Sequence, residues 1–210
     1  MERQLATPDA RQKIDGALAA CQVRFTELNV KQMLTRGDEG CALLLGCADS
    51  EDFVLKIAWG ARAGMLRGEW TALERLCRLD VAPRPLAWRE TADFVWLLRA
   101  HAPGQTLAEW VTQMGPPPVR EAMTAAQAII RLVGTIHRAG LVCRDIKPEN
   151  LVRGPGGEWT LIDAGTARPL SPIKRKDTVR FATEGFAAPE QYGEGAADAR
   201  ADIYALGVTL

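Results

Sequence analysis

Between Cys143 and Asn150 the chain reads Cys-Arg-Asp-Ile-Lys-Pro-Glu-Asn, and no other stretch constrains the fold so much. An Asp, a Lys two residues on and an Asn five residues on share one short segment behind a helical pattern. Pro148 cannot continue a helix, so these polar side chains belong to a loop. Loops carried on a rigid scaffold are where catalytic groups sit. Eighteen residues after Asp145, Leu161-Ile162-Asp163-Ala164-Gly165 reads as a short apolar strand ending in an acidic residue and a Gly. Two carboxylates and one amide oxygen are thereby expected to converge on a hard divalent cation. Mg²⁺ prefers such oxygen ligands and keeps water and substrate phosphate in its shell.

The rest of the chain supplies a scaffold for that loop. Thr7-Pro8 reads as a helix start, with Ile14, Leu18 and Cys21 recurring at helical spacing. Phe25–Leu34, Cys41–Cys47 and Phe53–Trp59 read as strands, the first two joined by Gly37-Asp38-Glu39-Gly40. Ala63–Leu79 carries Leu66, Trp70, Leu73, Leu76 and Cys77 on one helical face, with Pro83 and Pro85 ending it. Leu86–Arg89 and Phe94–Arg99 add two strands, making a small, mostly antiparallel sheet with one helix. Thr106–Met114 is predicted helical, then Val119–Ala139 with Ala125, Ile129, Leu132, Val133 and Ile136 inward. The expected organisation is a helical extension over 1–24, a β-rich lobe over 25–100 and a helical lobe over 101–210.

Composition excludes several classes. Lys plus Arg and Asp plus Glu are 26 each, so the 210-residue chain has no net field to hold a polyanion or a membrane surface. No run of about 18 apolar residues exists, and charges interrupt the first apolar stretch, so neither a membrane span nor a signal peptide is expected. The five cysteines form no CxxC pair, and only His101 and His137 are available to join them, so no zinc site is expected. Dispersed cysteines point to a reducing cytoplasm, with Cys21 and Cys77 as small buried hydrophobes.

The motifs, taken in order, resemble the protein-kinase superfamily. The segments around Asp145 and Asp163 are similar to its catalytic and metal-binding loops. Leu34-Thr35-Arg36-Gly37-Asp38-Glu39-Gly40-Cys41-Ala42 resembles its glycine-rich loop, with Thr35 in place of the first Gly. Val54-Leu55-Lys56-Ile57 resembles the strand bearing the phosphate-pairing Lys, and Glu69 that lysine's ion-pair partner. Ala188-Pro189-Glu190 resembles the end of an activation segment, and Asp202-Ile203-Tyr204-Ala205-Leu206-Gly207 the start of a central buried helix. The residues around Gly185–Tyr192 are similar to bacterial Ser/Thr kinases of the eukaryotic-like type.

The resemblance implies an α+β, bilobal kinase-like fold with ATP and Mg²⁺ in the cleft. Asp145 would orient the acceptor hydroxyl and take its proton, with Lys147 beside the transferring phosphate. Lys56, held by Glu69, would pair the α/β-phosphates, and Asn150 and Asp163 would hold metal. Gly37 and Gly40 would let backbone amides approach phosphate, while Leu34, Ala42, Val54 and Val152 complete the nucleotide site. Arg144 would grip a phosphate on the activation segment, with Thr178 as its source. Thr183 would hydrogen-bond Asp145 and Lys147. The implied partner is a protein substrate with a Ser or Thr acceptor, with no nucleic acid and no membrane.

The sequence also departs from the family pattern. Ala164 stands where Phe is usual and Cys143 where His is usual. Leu73, Trp88 and Trp96 are expected to fill the lost volume. Leu210 falls early in the predicted buried helix, so the helical lobe is expected to be truncated there. Glu190 is expected to lack its usual Arg partner, and the apolar residues near Leu210 to offer a self-association surface. The alternatives to a Ser/Thr protein kinase are a nucleotide-binding pseudokinase or inactive fragment acting through protein contacts, and a small-molecule kinase. Intact Lys56, Glu69, Asp145, Asn150 and Asp163 oppose the first. Lys147 and the Ala188-Pro189-Glu190 segment oppose the second.

Overall fold

The structure is a computed structural model that describes residues 7–22, 28–47, 51–170, 183–192 and 198–210. The chain divides into two compact units, Met1–Trp70 with Arg84–His101, and Thr71–Pro83 with Ala102–Leu210.

The first unit is a five-stranded sheet under one helix. Its strands are β1 (Asn29–Gly37), β2 (Gly40–Gly46), β3 (Phe53–Ala58), β4 (Pro85–Glu90) and β5 (Val95–Ala100), in the order β1-β2-β3-β5-β4. Every neighbouring pair is antiparallel. Side chains alternate across a strand. Cys41, Leu43 and Leu45 of β2, Phe53, Leu55 and Ile57 of β3, and Trp96 and Leu98 of β5 therefore share one face and one core. Helix α1 (Pro8–Gln22) closes that core with Ile14, Ala17 and Cys21. Its start is capped as expected, Thr7 Oγ1 accepting the Ala10 N–H at 3.3 Å. Leu18 is only partly buried, because Ala17 lies closer to the centre of the buried stripe. Truncating Leu55, which is fully buried, to Ala would remove about 2–5 kcal/mol.

Strand β1 runs through Gly37, beyond the predicted end at Leu34. Gly37 pairs with Gly40, which leaves Asp38-Glu39 as a two-residue turn. The strand has two register irregularities on the way, which blur the alternation that a sequence reading relies on. Gly40 is fixed by crowding: a Cβ there would lie 2.6 Å from the Ile57 carbonyl oxygen.

Helix α2 (Ala63–Leu76) buries Leu66, Glu69, Leu73 and Leu76. Its end differs from the expectation. A 3-10 turn at Cys77–Leu79 leads to Asp80 in the left-handed conformation, φ 54°, so the helix stops before Pro83. Asp tolerates that conformation because its short polar side chain bonds locally. Cys77 is half-buried and not a core residue, whereas Cys41 and Cys143 are buried alongside Cys21.

The second unit is helical with short strands. Helix α3 (Leu107–Met114) starts at a capping box: Thr106 Oγ1 accepts the Glu109 N–H at 3.1 Å, and the Thr106 N–H donates to Glu109 Oε2 at 2.8 Å. Helix α4 (Val119–Arg138) buries Ala125, Ile129, Leu132, Val133 and Ile136, the five residues that the periodicity predicts. Strands β6 (Gln105–Thr106), β8 (Leu151–Arg153) and β9 (Trp159–Leu161) form one small sheet. Strands β7 (Leu141–Val142) and β10 (Arg168–Pro169) pair as another. Gly104, at φ 132°, lets the chain approach β8, where a Cβ would meet the Arg153 carbonyl oxygen at 2.1 Å. Helices α5 (Pro189–Tyr192) and α6 (Ala199–Thr209) complete the unit, α6 being capped by Asp198 through the Arg200 N–H. Among the described residues no helix is long and apolar enough to cross a membrane.

Ala164 and Cys143, the small residues at positions usually large, are both buried. Trp96 lies in the core beneath α1. Trp88 is stacked on Trp70 with ring centroids 6.2 Å apart. Leu73 is fully buried within α2.

Candidate active site

In the first unit, Lys56 sits on β3 opposite Ala42 of β2 and Leu97 of β5. Strand alternation puts Lys56 on the face away from α1, together with Val54. Its Nζ lies 2.7 Å from Glu69 Oε1 on α2. The Glu69 side chain is 3% exposed and the Lys56 side chain 15% exposed, so the carboxylate is the more desolvated partner. Ala42 and Val54 are buried, and Leu34 is 40% exposed on β1.

In the second unit the loop after β7 brings four predicted residues into one network. Thr183 Oγ1 donates to Asp145 Oδ1 at 2.7 Å, and Lys147 Nζ donates to Thr183 Oγ1 at 3.1 Å. Lys147 Nζ also lies 2.9 Å from Asp145 Oδ2. Asn150 Nδ2 donates to Asp145 Oδ2 at 3.0 Å and to the Asp145 carbonyl at 2.9 Å. Both carboxylate oxygens of Asp145 are thus fixed by named donors, and the side chain has one defined orientation.

Asp163 lies two residues beyond the end of β9. Its Oδ1 accepts the Gly165 N–H at 3.0 Å. The Ile162 N–H donates to the Asn150 carbonyl at 3.0 Å, which ties the Asp163 segment to the Asp145 loop. Val152 is buried on β8.

Arg144 is buried, with φ 70°, a conformation that a non-Gly residue adopts only when its surroundings enforce it. The enforcing group is Asp202 of α6, which is wholly buried. Its Oδ1 accepts the Arg144 N–H at 2.7 Å and its Oδ2 the Cys143 N–H at 2.8 Å. His137 Nε2 lies 2.8 Å from the same Oδ2. Gln191 Nε2 donates to the Arg144 carbonyl at 2.8 Å, and Thr166 Oγ1 to the Cys143 carbonyl at 2.8 Å. Burial pushes the Cys143 thiol well above its usual range, and the neighbouring Asp202 carboxylate adds to that. The thiol stays protonated and is no nucleophile.

Sequence reasoning reached Asp202 as part of a motif but not as the anchor of Cys143 and Arg144. The available signal was a lone carboxylate between Ala201 and the apolar Ala205-Leu206. His137, Gln191 and Thr166 carried no comparable signal. Arg200 is raised mainly by its hydrogen bond and charge interaction with Asp198, and the Glu190 carboxylate adds to the field that favours its cation. Thr178, the expected phosphate source for Arg144, lies outside the described residues.

Residues 67–210 match the family model described as protein kinase domain, which is more than half of the chain. The chain belongs to the protein kinase domain family. Among its curated relatives, the serine/threonine-protein kinase PknL of Mycobacterium tuberculosis is 36% identical over 108 residues, covering 51% of this chain and 27% of that protein. The probable serine/threonine-protein kinase PkwA of Thermomonospora curvata is 35% identical over 121 residues, 57% of this chain and 16% of that protein. The serine/threonine-protein kinase PrkC of Bacillus subtilis is 32% identical over 123 residues, 58% and 19% respectively. The matched part of this kinase domain thus spans about a quarter or less of those relatives' lengths.

Proposed function

We propose that the chain transfers the γ-phosphoryl group of ATP to Ser or Thr hydroxyls of protein substrates. The observation that carries this reading is the network around Asp145. A carboxylate held by Thr183, Lys147 and Asn150 is preorganised to orient a hydroxyl and accept its proton. Lys147 brings a cation next to that carboxylate, where the negative charge of a transferring phosphoryl group would be neutralised. In the first unit, Lys56 is restrained by Glu69 and would bring its cation to nucleotide phosphate. Relatives named as serine/threonine-protein kinases support the choice of acceptor.

The donor set suits Mg²⁺. Asn150 spends its amide nitrogen on Asp145, which turns its carbonyl oxygen, the hard donor, the other way. Among the described residues no three His, Cys, Asp or Glu side chains converge, so no all-protein metal cage exists there. Mg²⁺ is ordinarily held by one or two carboxylates with substrate phosphate and water completing the octahedron, and Asn150 and Asp163 would supply the protein's share. Bound there, the ion would neutralise charge on the phosphate oxygens.

A cytoplasmic location belongs to the same reading, supported by five cysteines that are all free thiols. So does self-association through α6, where Ile203, Tyr204 and Val208 are exposed. Sizing chromatography with light scattering tests the latter, and a monodisperse monomer would exclude it.

The reaction is tested with Asp163→Ala. Nucleotide affinity with and without Mg²⁺, measured by calorimetry, is expected to depend on the ion in the wild type and not in the variant. Equal Mg²⁺ dependence in both would remove Asp163 from the metal site.

A further inference from the structure

We propose that Trp59 is a positioning residue that holds the tip of the Gly37–Gly40 hairpin ready for nucleotide phosphates. The inference rests on the reading of the chain as an ATP-dependent kinase.

The hairpin tip is the two-residue turn Asp38-Glu39 between paired Gly37 and Gly40. Both of its carbonyls are taken by one residue. The Trp59 backbone N–H donates to the Glu39 carbonyl at 3.0 Å, and the indole Nε1–H donates to the Asp38 carbonyl at 3.1 Å. Trp59 lies one residue beyond β3 and three beyond Lys56. The strand that carries the phosphate-pairing Lys is therefore tied to the tip of the glycine hairpin. Most residues could supply the backbone bond, but the indole bond calls for Trp.

Two further features show that the turn is held in one place. Glu39 folds back onto the segment after Trp59, its Oε1 accepting the Ala61 N–H at 3.4 Å. Gly60, at φ 59°, gives way to it: a Cβ there would lie 2.5 Å from Glu39 Oε1. On its other side the Trp59 ring lies near Lys13 of α1, with the ammonium 5.7 Å from the ring centroid. A cavity of about 320 Å³, lined by Thr7, by Ala10 and Ile14 of α1 and by Arg36, Asp38 and Trp59, lies between the helix and the hairpin.

A glycine hairpin that orders only when ligand arrives loses its conformational entropy at the binding step, and a hairpin already held loses it on folding. The pin also keeps the Glu39 carboxylate on Ala61, away from the phosphates it would repel. Its effect therefore belongs to nucleotide affinity and not to the chemical step.

The test compares wild type and Trp59→Phe in the 210-residue chain. Phe keeps an aromatic ring and the backbone bond and removes only the indole donor. Amide exchange across residues 37–41 is measured without ligand, and ATP affinity, KM and kcat are measured with Mg²⁺. The expected outcome is exchange and KM for ATP each raised roughly two- to tenfold, the worth of one hydrogen bond, with kcat within about twofold. Unchanged exchange in Trp59→Phe overturns the inference, and so does faster exchange with unchanged ATP affinity. A wild type that binds no adenine nucleotide defeats the proposed function and this role with it. A wild type that binds ATP, beside a variant identical in both readouts, defeats this inference alone.

Discussion

The Asp202 carboxylate accepts the backbone N–H of Arg144 at 2.7 Å, and this one bond joins a buried charge on α6 to a left-handed residue in the loop that bears Asp145. The second oxygen takes the Cys143 N–H and meets His137. Asp145 follows Arg144 directly, so its direction depends on a backbone conformation that Asp202 enforces.

Asp202→Ala is expected to destabilise the chain by about 3 kcal/mol or more. It leaves two buried backbone N–H groups without their acceptor and relaxes the positive φ at Arg144. Chemical denaturation measures the loss. A variant within 0.5 kcal/mol of wild type would show that water or a neighbour replaces the carboxylate.

The limits of sequence reading are visible in these same residues. The inward face of α4 was legible because burial at helical spacing repeats over five residues. The cluster beneath α1 was legible in part: β2, β3 and β5 are nearly continuous apolar runs, which mark strands but not which face packs on the helix. The end of α2 was not legible: an Asp in the left-handed region acts before the prolines, and Asp tolerates many conformations. The loop chemistry at Asp145, Lys147 and Asn150 stood in eight consecutive residues. Its support did not, because Asp202 reaches Arg144 across 58 positions and Trp59 reaches Asp38 across 21. Neither pairing leaves a periodic trace.

Lys56→Met is expected to affect folding as well as catalysis. The Met stem replaces the aliphatic part, but Glu69, 3% exposed, loses its cation. Removing the cation beside a carboxylate at that depth costs on the order of 2 kcal/mol, less than for a fully buried pair because Lys56 reaches solvent. The double variant Lys56→Met with Glu69→Gln is expected to recover most of the stability and none of the phosphoryl transfer. Recovery of transfer in the double variant would make Lys56 a structural residue only.

Thr183→Ala removes the donor to Asp145 Oδ1 and the acceptor of Lys147. Hydrogen bonds to charged groups contribute about 1.5–3 kcal/mol, and this one is partly solvated, so kcat is expected to fall roughly tenfold with KM for ATP little changed. Thr183→Ser keeps the hydroxyl and is expected to stay within about threefold of wild type. Equal losses in both variants would show that the methyl group, and not the hydrogen bonds, matters.

His101 gives the chain a pH dependence whose sign follows from its surroundings. It closes the first unit after β5, and its backbone N–H donates to the Asp52 carbonyl at 2.9 Å. Burial lowers its pKa below the ordinary 6.5; the Arg99 cation lowers it further, Asp52 opposes, and Lys31 lowers it again. The folded chain therefore holds this proton less tightly than the unfolded chain does. Above pH 6.5 both states are neutral at His101 and its contribution to stability is full. As pH falls below 6.5 the unfolded state takes up the proton first, and stability declines until the folded pKa is passed. His101→Gln cannot titrate. Denaturation curves between pH 7.5 and roughly pH 5 are expected to show a steeper loss for wild type than for His101→Gln. Subtracting the variant's curve removes what the two chains have in common. Parallel curves would mean that His101 meets the same environment folded and unfolded, and the burial argument for it would fall.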